Sequence, residues 1–231
     1  MKDKMVVLRD ANVYQEERAS DEKQSLADLA YQALKRKILT LEFEPGSYLN
    51  EAQIAETLEL GRNPVHNAVK RLVFEGLIDV MPRKGLLVRS LNLREILEIA
   101  EVRLVNESYC VRCAAERASK QDILRLKDVI AASRRALRSR DIEAQMFLDR
   151  DFHFAIFKAA QNTVLEDMLQ VLHERSLRNW YISLKAPAQA RSVVQQHSAV
   201  LAAIEAHDPD SAEREMRYHI HACSENLKRQ V

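Results

Sequence analysis

Glycine runs out at residue 85. The chain has 231 residues and four glycines, Gly46, Gly61, Gly76 and Gly85. Beyond Gly85 only Pro187 and Pro209 interrupt a stretch rich in Leu, Ala, Glu, Arg and Lys. Glycine and proline are the residues that end helices and build turns. Without them the C-terminal part is confined to helices joined by short polar breaks. The glycines sit where short elements and tight turns must alternate. A change of architecture near residue 90 follows. Three segments are expected: a mixed-charge, mobile tail over 1–24, one domain over 25–91, and an all-helical domain over 92–231.

In the first domain, Ser25 caps a helix whose apolar stripe is Leu26, Leu29, Ala30, Ala33, Leu34, Ile38 and Leu41. Glu44-Pro45-Gly46 ends it in a turn. Asn50 caps a second helix, 51–60, with Ile54, Ala55 and Leu58 inward. Gly61 and Arg62 then turn into a third helix, with Asn63 as its N-cap and Pro64 at its first helical position. Val65, Ala68, Val69, Leu72 and Val73 form its buried side. Arg62, Asn63, His66, Asn67 and Lys70 form the leading, outward side. Hydrogen-bonding side chains at the start of a short helix suit base edges in a DNA major groove. Residues 77–81 and 86–89 read as two short strands joined by Pro82-Arg83-Lys84-Gly85. Alone, Arg83 and Lys84 are a solvated turn; after a reading helix they are the tip of a wing, placed to touch phosphate or the minor groove. The net charge of the whole chain is only +1, but between residues 61 and 90 six cations face two carboxylates. That local imbalance is the footprint of a polyanion partner.

After Asn92 caps a long helix reaching about residue 118, further helices are expected at 120–139, 141–160, 163–184, 188–206 and 210–229, packed as an antiparallel bundle. The fold class is therefore mainly α, a winged helix-turn-helix followed by a helical bundle. Asp149 and His153 lie four apart in the stripe Ile142, Met146, Asp149, His153, Ile156. His197 and His219 lie in stripes of two other helices. Any one of these histidines is better explained as a satisfied core residue. Four metal-competent groups on inward stripes favour a shared site. One Asp and three His suit a borderline divalent ion, zinc first, with nickel or manganese as alternatives, and an octahedral ion would keep positions open for a carboxylate effector. Arg103 either binds that carboxylate or pairs with Glu107 one turn away. His173 and His207 are read as ordinary surface or packing residues, and Cys110 and Cys113 as helix packing, since no βαβ pattern accompanies their C-x-x-C spacing. No apolar run reaches membrane-spanning length, and three cysteines do not make a secreted disulfide framework, so a cytoplasmic protein without a membrane partner is expected.

The chain resembles the GntR family of bacterial transcription regulators, in its FadR subfamily with an FCD effector domain. The N-terminal likeness runs through Pro45-Gly46, Leu49-Asn50-Glu51, Ile54-Ala55, Arg62, Pro64-Val65, Ala68-Val69, Arg71-Leu72, Glu75-Gly76-Leu77 and Arg83…Gly85…Val88. The C-terminal likeness runs through Arg103, Glu107, Ala114-Ala115-Glu116-Arg117, Asp149…Phe152-His153, Asn162, His197, Asp208 and His219. The resemblance implies a homodimeric repressor on double-stranded operator DNA with two half-sites. It also implies a metal held by Asp149, His153, His197 and His219, with a small organic acid beside it. Where the family usually has Ser-Arg-Thr-Pro-Val-Arg-Glu-Ala-Leu, this chain has Gly61-Arg62-Asn63-Pro64-Val65-His66-Asn67-Ala68-Val69. The operator sequence therefore does not carry over. Two competing expectations remain: a hydrolase using the Asp/His centre, which lacks a recognisable nucleophile motif, and a regulator whose metal is purely structural.

Overall fold

A computed structural model describes residues 25–90 and 92–229. The expected tail over 1–24 lies outside them. The N-terminal unit starts with α1 (Leu26–Leu39), whose N-cap Ser25 accepts from the Asp28 amide. A two-residue strand β1 (Tyr48–Leu49) follows, then α2 (Glu51–Leu58) and α3 (Arg62–Phe74). Strands β2 (Ile78–Met81) and β3 (Gly85–Val88) complete it. The sheet order is β1-β3-β2, all antiparallel, with Leu49 opposite Leu86 and Val80 opposite the same residue on the other side. Ala30, Leu34 and Ile38 of α1 pack with Ile54, with Val65, Ala68 and Leu72 of α3, and with Ile78 and Val88 of the sheet.

Three local expectations are corrected here. The strand β1 was not anticipated, because two residues carry no readable period; it exists through its pairing with β3. Gly85 makes that pairing possible: its φ is +96°, a conformation L-residues rarely adopt, and an added Cβ would lie 2.7 Å from the Leu49 carbonyl oxygen. The N-cap of α3 is Gly61, not Asn63, and no side chain caps it. Pro64 falls at the third helical position, which it tolerates because the first-turn amides have no intrahelical acceptor to lose. Helix α1 stops at Leu39, and Leu41 takes a left-handed conformation, φ 64°, in the turn beyond.

The C-terminal unit has six helices among the described residues: α4 (Leu93–Arg117), α5 (Lys120–Ser139), α6 (Ile142–Ala159), α7 (Thr163–Leu184), α8 (Pro187–Glu205) and α9 (Pro209–Lys228). Their ends fall within a residue or two of the polar breaks in the sequence. Asn92, Ser119, Asp141, Asn162 and Asp208 each cap a first turn with a side-chain oxygen. Cys110, Val111, Phe152, Ile156, Leu169, Val200, Ile204 and Met216 meet in the main core. None of the described helices is long and apolar enough to cross a membrane.

The two units are joined along α1 and α7. Leu39 packs with Leu177, Trp180 and Leu184. Lys35 lies 2.9 Å from both Glu75 of the winged unit and Glu174 of α7, and Arg36 grips Glu143 of α6 through two nitrogens.

Candidate functional site

The outward face of α3 carries Arg62, Asn63, His66, Asn67 and Lys70, all exposed, while Val65, Ala68, Val69 and Leu72 anchor the helix from behind. His66 Nδ1 meets Glu51 Oε1 at 2.9 Å, so the side chain that replaces the family's common arginine is oriented from α2. Arg71 is held away from this face: it bonds Asp28 at 2.7 Å and lies over the Tyr31 ring at 3.7 Å. Arg83 and Lys84 are exposed at the hairpin tip, and Arg83 adopts φ 62° to make the turn. Helix face and hairpin tip thus form an exposed cationic surface on one unit.

The second cluster is buried. Asp149 and His153 come from α6, His197 from α8 and His219 from α9, and none is more than 5 % exposed. One candidate ligand atom from each lies within 4.8 Å of all the others. His153 Nε2 is 3.2 Å from His219 Nε2, which is 3.3 Å from His197 Nε2, and His197 Nε2 is 3.5 Å from Asp149 Oδ1. Ligand atoms on bonds of about 2.1 Å around a tetrahedral ion lie roughly 3.4 Å apart. The observed separations match that spacing.

The ring orientations are set from behind. Glu107 accepts from His153 Nδ1 at 2.7 Å and from Arg103 Nε at 2.5 Å. Burial would raise the Glu107 pKa, but Arg103 and His153 outweigh it and bring the carboxyl down to about 2. An ionised carboxylate only accepts, so Nδ1 of His153 carries the proton and Nε2 is bare. Gln196 donates its amide to Ser192 at 3.0 Å and turns Oε1 to His219 Nδ1 at 2.9 Å. His219 therefore donates there, and its Nε2 is bare as well. Two lone pairs facing each other at 3.2 Å repel unless a cation lies between them. Burial, followed by neighbouring positive groups, pushes the pKa values of His173, His197 and His219 well below the ordinary imidazole range, which keeps them neutral donors. Burial pushes Asp149 up to about 6, and its Oδ1 has no hydrogen-bond partner. An orphaned buried carboxylate beside bare imidazole nitrogens is a donor set that could hold a divalent ion.

His173 is corrected. It is 1 % exposed and belongs to this cluster: its Nε2 is 3.6 Å from Asp149 Oδ2, and neither ring nitrogen is hydrogen-bonded. The row Leu165, Leu169, His173, Leu177, Leu184 on α7 was the available signal. Glu107 lies on the inward row Leu104, Glu107, Val111, Ala114 of α4, whereas Gln196, which orients His219, carried no such signal. His207 bonds the Ala115 carbonyl from a helix end. Cys110 and Cys113 sit in the core. Asp151, beside the cluster in sequence, is paired with Arg150 at 2.9 Å.

Two family models match this chain: the bacterial regulatory proteins of the gntR family over residues 26–88, and the FCD domain over 98–222. The chain belongs to the GntR family, with an FCD domain. Among curated relatives, the HTH-type transcriptional repressor RspR of Escherichia coli K12 is 24 % identical over 198 residues, covering 86 % of this chain and 87 % of RspR. The Nta operon transcriptional regulator of Aminobacter aminovorans is 32 % identical over 135 residues, 58 % of this chain and 63 % of its own. The solved structure of E. coli McbR/YncC superimposes with a TM-score of 0.79 at 25 % identity, covering 89 % of this chain and 98 % of that one. This GntR-family chain is accordingly a transcriptional regulator: the cationic face lies in the gntR segment and the buried Asp/His cluster in the FCD segment.

Proposed function

We propose that this regulator represses transcription by binding double-stranded operator DNA as a homodimer, and that a small organic acid bound beside a divalent metal controls its release. The winged unit is taken as residues 25–91 and the effector-binding, dimerising unit as 92–231. The observation that carries the reading is the facing pair of bare Nε2 atoms, His153 and His219, 3.2 Å apart with their protons fixed on the far sides by Glu107 and Gln196. Asp149, His153, His197 and His219 are the proposed ligands, and zinc is the preferred ion for a set of three imidazoles and one carboxylate. A narrow cleft lined by Ser133, Gln145, Asp149 and His197 adjoins the cluster, and this is the side from which an effector would approach. Arg103 engages Glu107 through Nε alone among the described residues, which leaves its two terminal nitrogens for an effector carboxylate.

Two further features support the DNA and dimer assignments. Arg62, Asn63, His66, Asn67 and Lys70 present hydrogen-bonding groups to a major groove, with Arg83 and Lys84 against the backbone. Neighbouring α4 and α7 each leave an apolar row uncovered, Val102, Val105 and Tyr109 on one, Val164, Met168 and Val171 on the other. A second copy covering these rows would bring two reading helices to two half-sites. The test is a gel-shift series on the gene's own promoter region, with zinc-loaded and chelated protein and a panel of small carboxylates. Sequence-preferring, salt-sensitive binding that one carboxylate weakens only in the metal-loaded protein is expected. Absence of a preferred site overturns the regulator mechanism, and equal carboxylate response with and without metal overturns the metal's role.

A further inference from the structure

A second anion site is suggested by the seam between the wing and the bundle, away from the Asp/His centre. Arg178 of α7 is 5 % exposed there and has no carboxylate partner among the described residues. Its Nη1 donates to the Arg89 backbone carbonyl at 2.5 Å, while its buried Nε has no hydrogen-bond partner. Two more guanidiniums converge on the same cleft. Arg175, one turn earlier on α7, pairs with Glu95, and Arg89 reaches the same Glu95 at 3.4 Å and Asp79 at 3.8 Å. Arginines of this kind are ordinarily paired when buried. Here one carboxylate inside the cleft, Glu95, serves two of the three, and the most buried one is left over.

The backbone adds to the imbalance. Asn92 and Glu95 place the N-terminus of the 25-residue helix α4 against the cleft, so the positive end of its dipole points in. Gly76, at φ +71°, lets the Arg89 head lie across it: an added Cβ would stand 3.0 Å from Arg89 Nη1. The cleft is thus shaped around guanidiniums and open to solvent.

We propose that this cleft binds a small oxyanion, a phosphate or carboxylate group, which takes the free Nε of Arg178 together with the Arg175 head. Arg89 closes β3 and leads into α4, whereas Arg175 and Arg178 belong to α7. An oxyanion held there sits where the end of the wing, lined by Arg89, meets the bundle, and it gives the regulator a second input, separate from the metal centre.

The test is thermal denaturation of the full chain in EDTA, titrating inorganic phosphate, and separately malonate, against chloride at matched ionic strength. A saturable rise in Tm is expected with at least one of the two oxyanions, and the tighter of them names the head group. Arg178→Met should abolish the rise. Arg175→Gln, on a side chain about one-third exposed, should raise the apparent Kd several-fold in a protein that still folds, and it decides the matter if Arg178→Met does not fold. The proposal falls if neither oxyanion gives a saturable rise, if Arg175→Gln titrates like the parent, or if the rise disappears whenever metal is chelated, which would place the anion at the Asp/His centre.

Discussion

Replacing Asp149 with asparagine separates the cost of the metal centre from its benefit. The Asp149 carboxyl is buried and its pKa is raised from 3.8 to about 6, chiefly by that burial. A carboxyl with a raised folded pKa binds its proton more tightly in the native state. Ionising it at neutral pH therefore destabilises the metal-free fold, and the penalty grows as pH rises from 3.8 toward about 6. A shift of roughly two units corresponds to about 3 kcal/mol at 1.36 kcal/mol per unit. For a chain of this size about 3 kcal/mol amounts to roughly 6–12 °C in Tm, an upper bound because the asparagine amide also costs something to bury. Asp149→Asn is isosteric and leaves no cavity. In EDTA at pH 7 the variant should melt higher than the parent, and the gap should shrink as the pH is lowered toward 4. With zinc the order should reverse, because the parent gains binding energy that the variant has lost. The assay is thermal denaturation of both proteins, with EDTA and with zinc, at several pH values. If Asp149→Asn melts lower than the parent in EDTA at pH 7, or if zinc raises both equally, the electrostatic account of the centre is wrong.

Three other outcomes are expected. Because the imidazoles of His197 and His219 are held neutral by burial and Asp149 titrates near 6, zinc affinity measured by chelator competition should fall about tenfold per pH unit below that value, a one-proton dependence; a steeper slope would mean the histidines also bind protons. Glu107→Gln replaces the acceptor-only carboxylate behind His153 with a neutral amide that can also donate, and it should weaken zinc binding by about 10–100-fold, whereas unchanged affinity would show that the ring is oriented by something else. Lys35→Met strips the cation shared by Glu75 and Glu174 and should cost about 3–5 kcal/mol in denaturant unfolding. Burial opposes the charge on Lys35 but Glu174, Tyr31 and Glu75 outweigh it and raise its pKa, so this stabilisation should persist up to 10.5 and be lost only as pH climbs through the higher folded value.

The inward stripes of α6, α8 and α9 show how much of the candidate site is legible in a sequence. Asp149, His153, His197 and His219 occupy positions that a period of 3.6 assigns to the core, and polar groups there need a common partner. The same logic extends to His173, which follows Leu165 and Leu169 at four-residue steps on the buried row of α7. Glu107 and Gln196 are different. Each reaches a histidine 46 and 23 residues away, and no periodicity within one helix encodes which rotamer faces which ring across the bundle. Arg103 left two partners open in sequence, and the fold places its Nε on Glu107.

The absence of glycine after residue 85 dictates helices, and side-chain caps such as Asn92, Ser119, Asn162 and Asp208 set where they begin, because both are matters of local backbone chemistry. The apolar faces likewise follow from spacing along one chain segment. Strand β1 depends on a neighbour that is remote in sequence, and so does the use of Gly85 beneath it. The two bare nitrogens at the centre and the unpaired Arg178 at the seam belong to the tertiary structure alone. They result from which helices pack together and which hydrogen-bond partners that packing supplies or withholds.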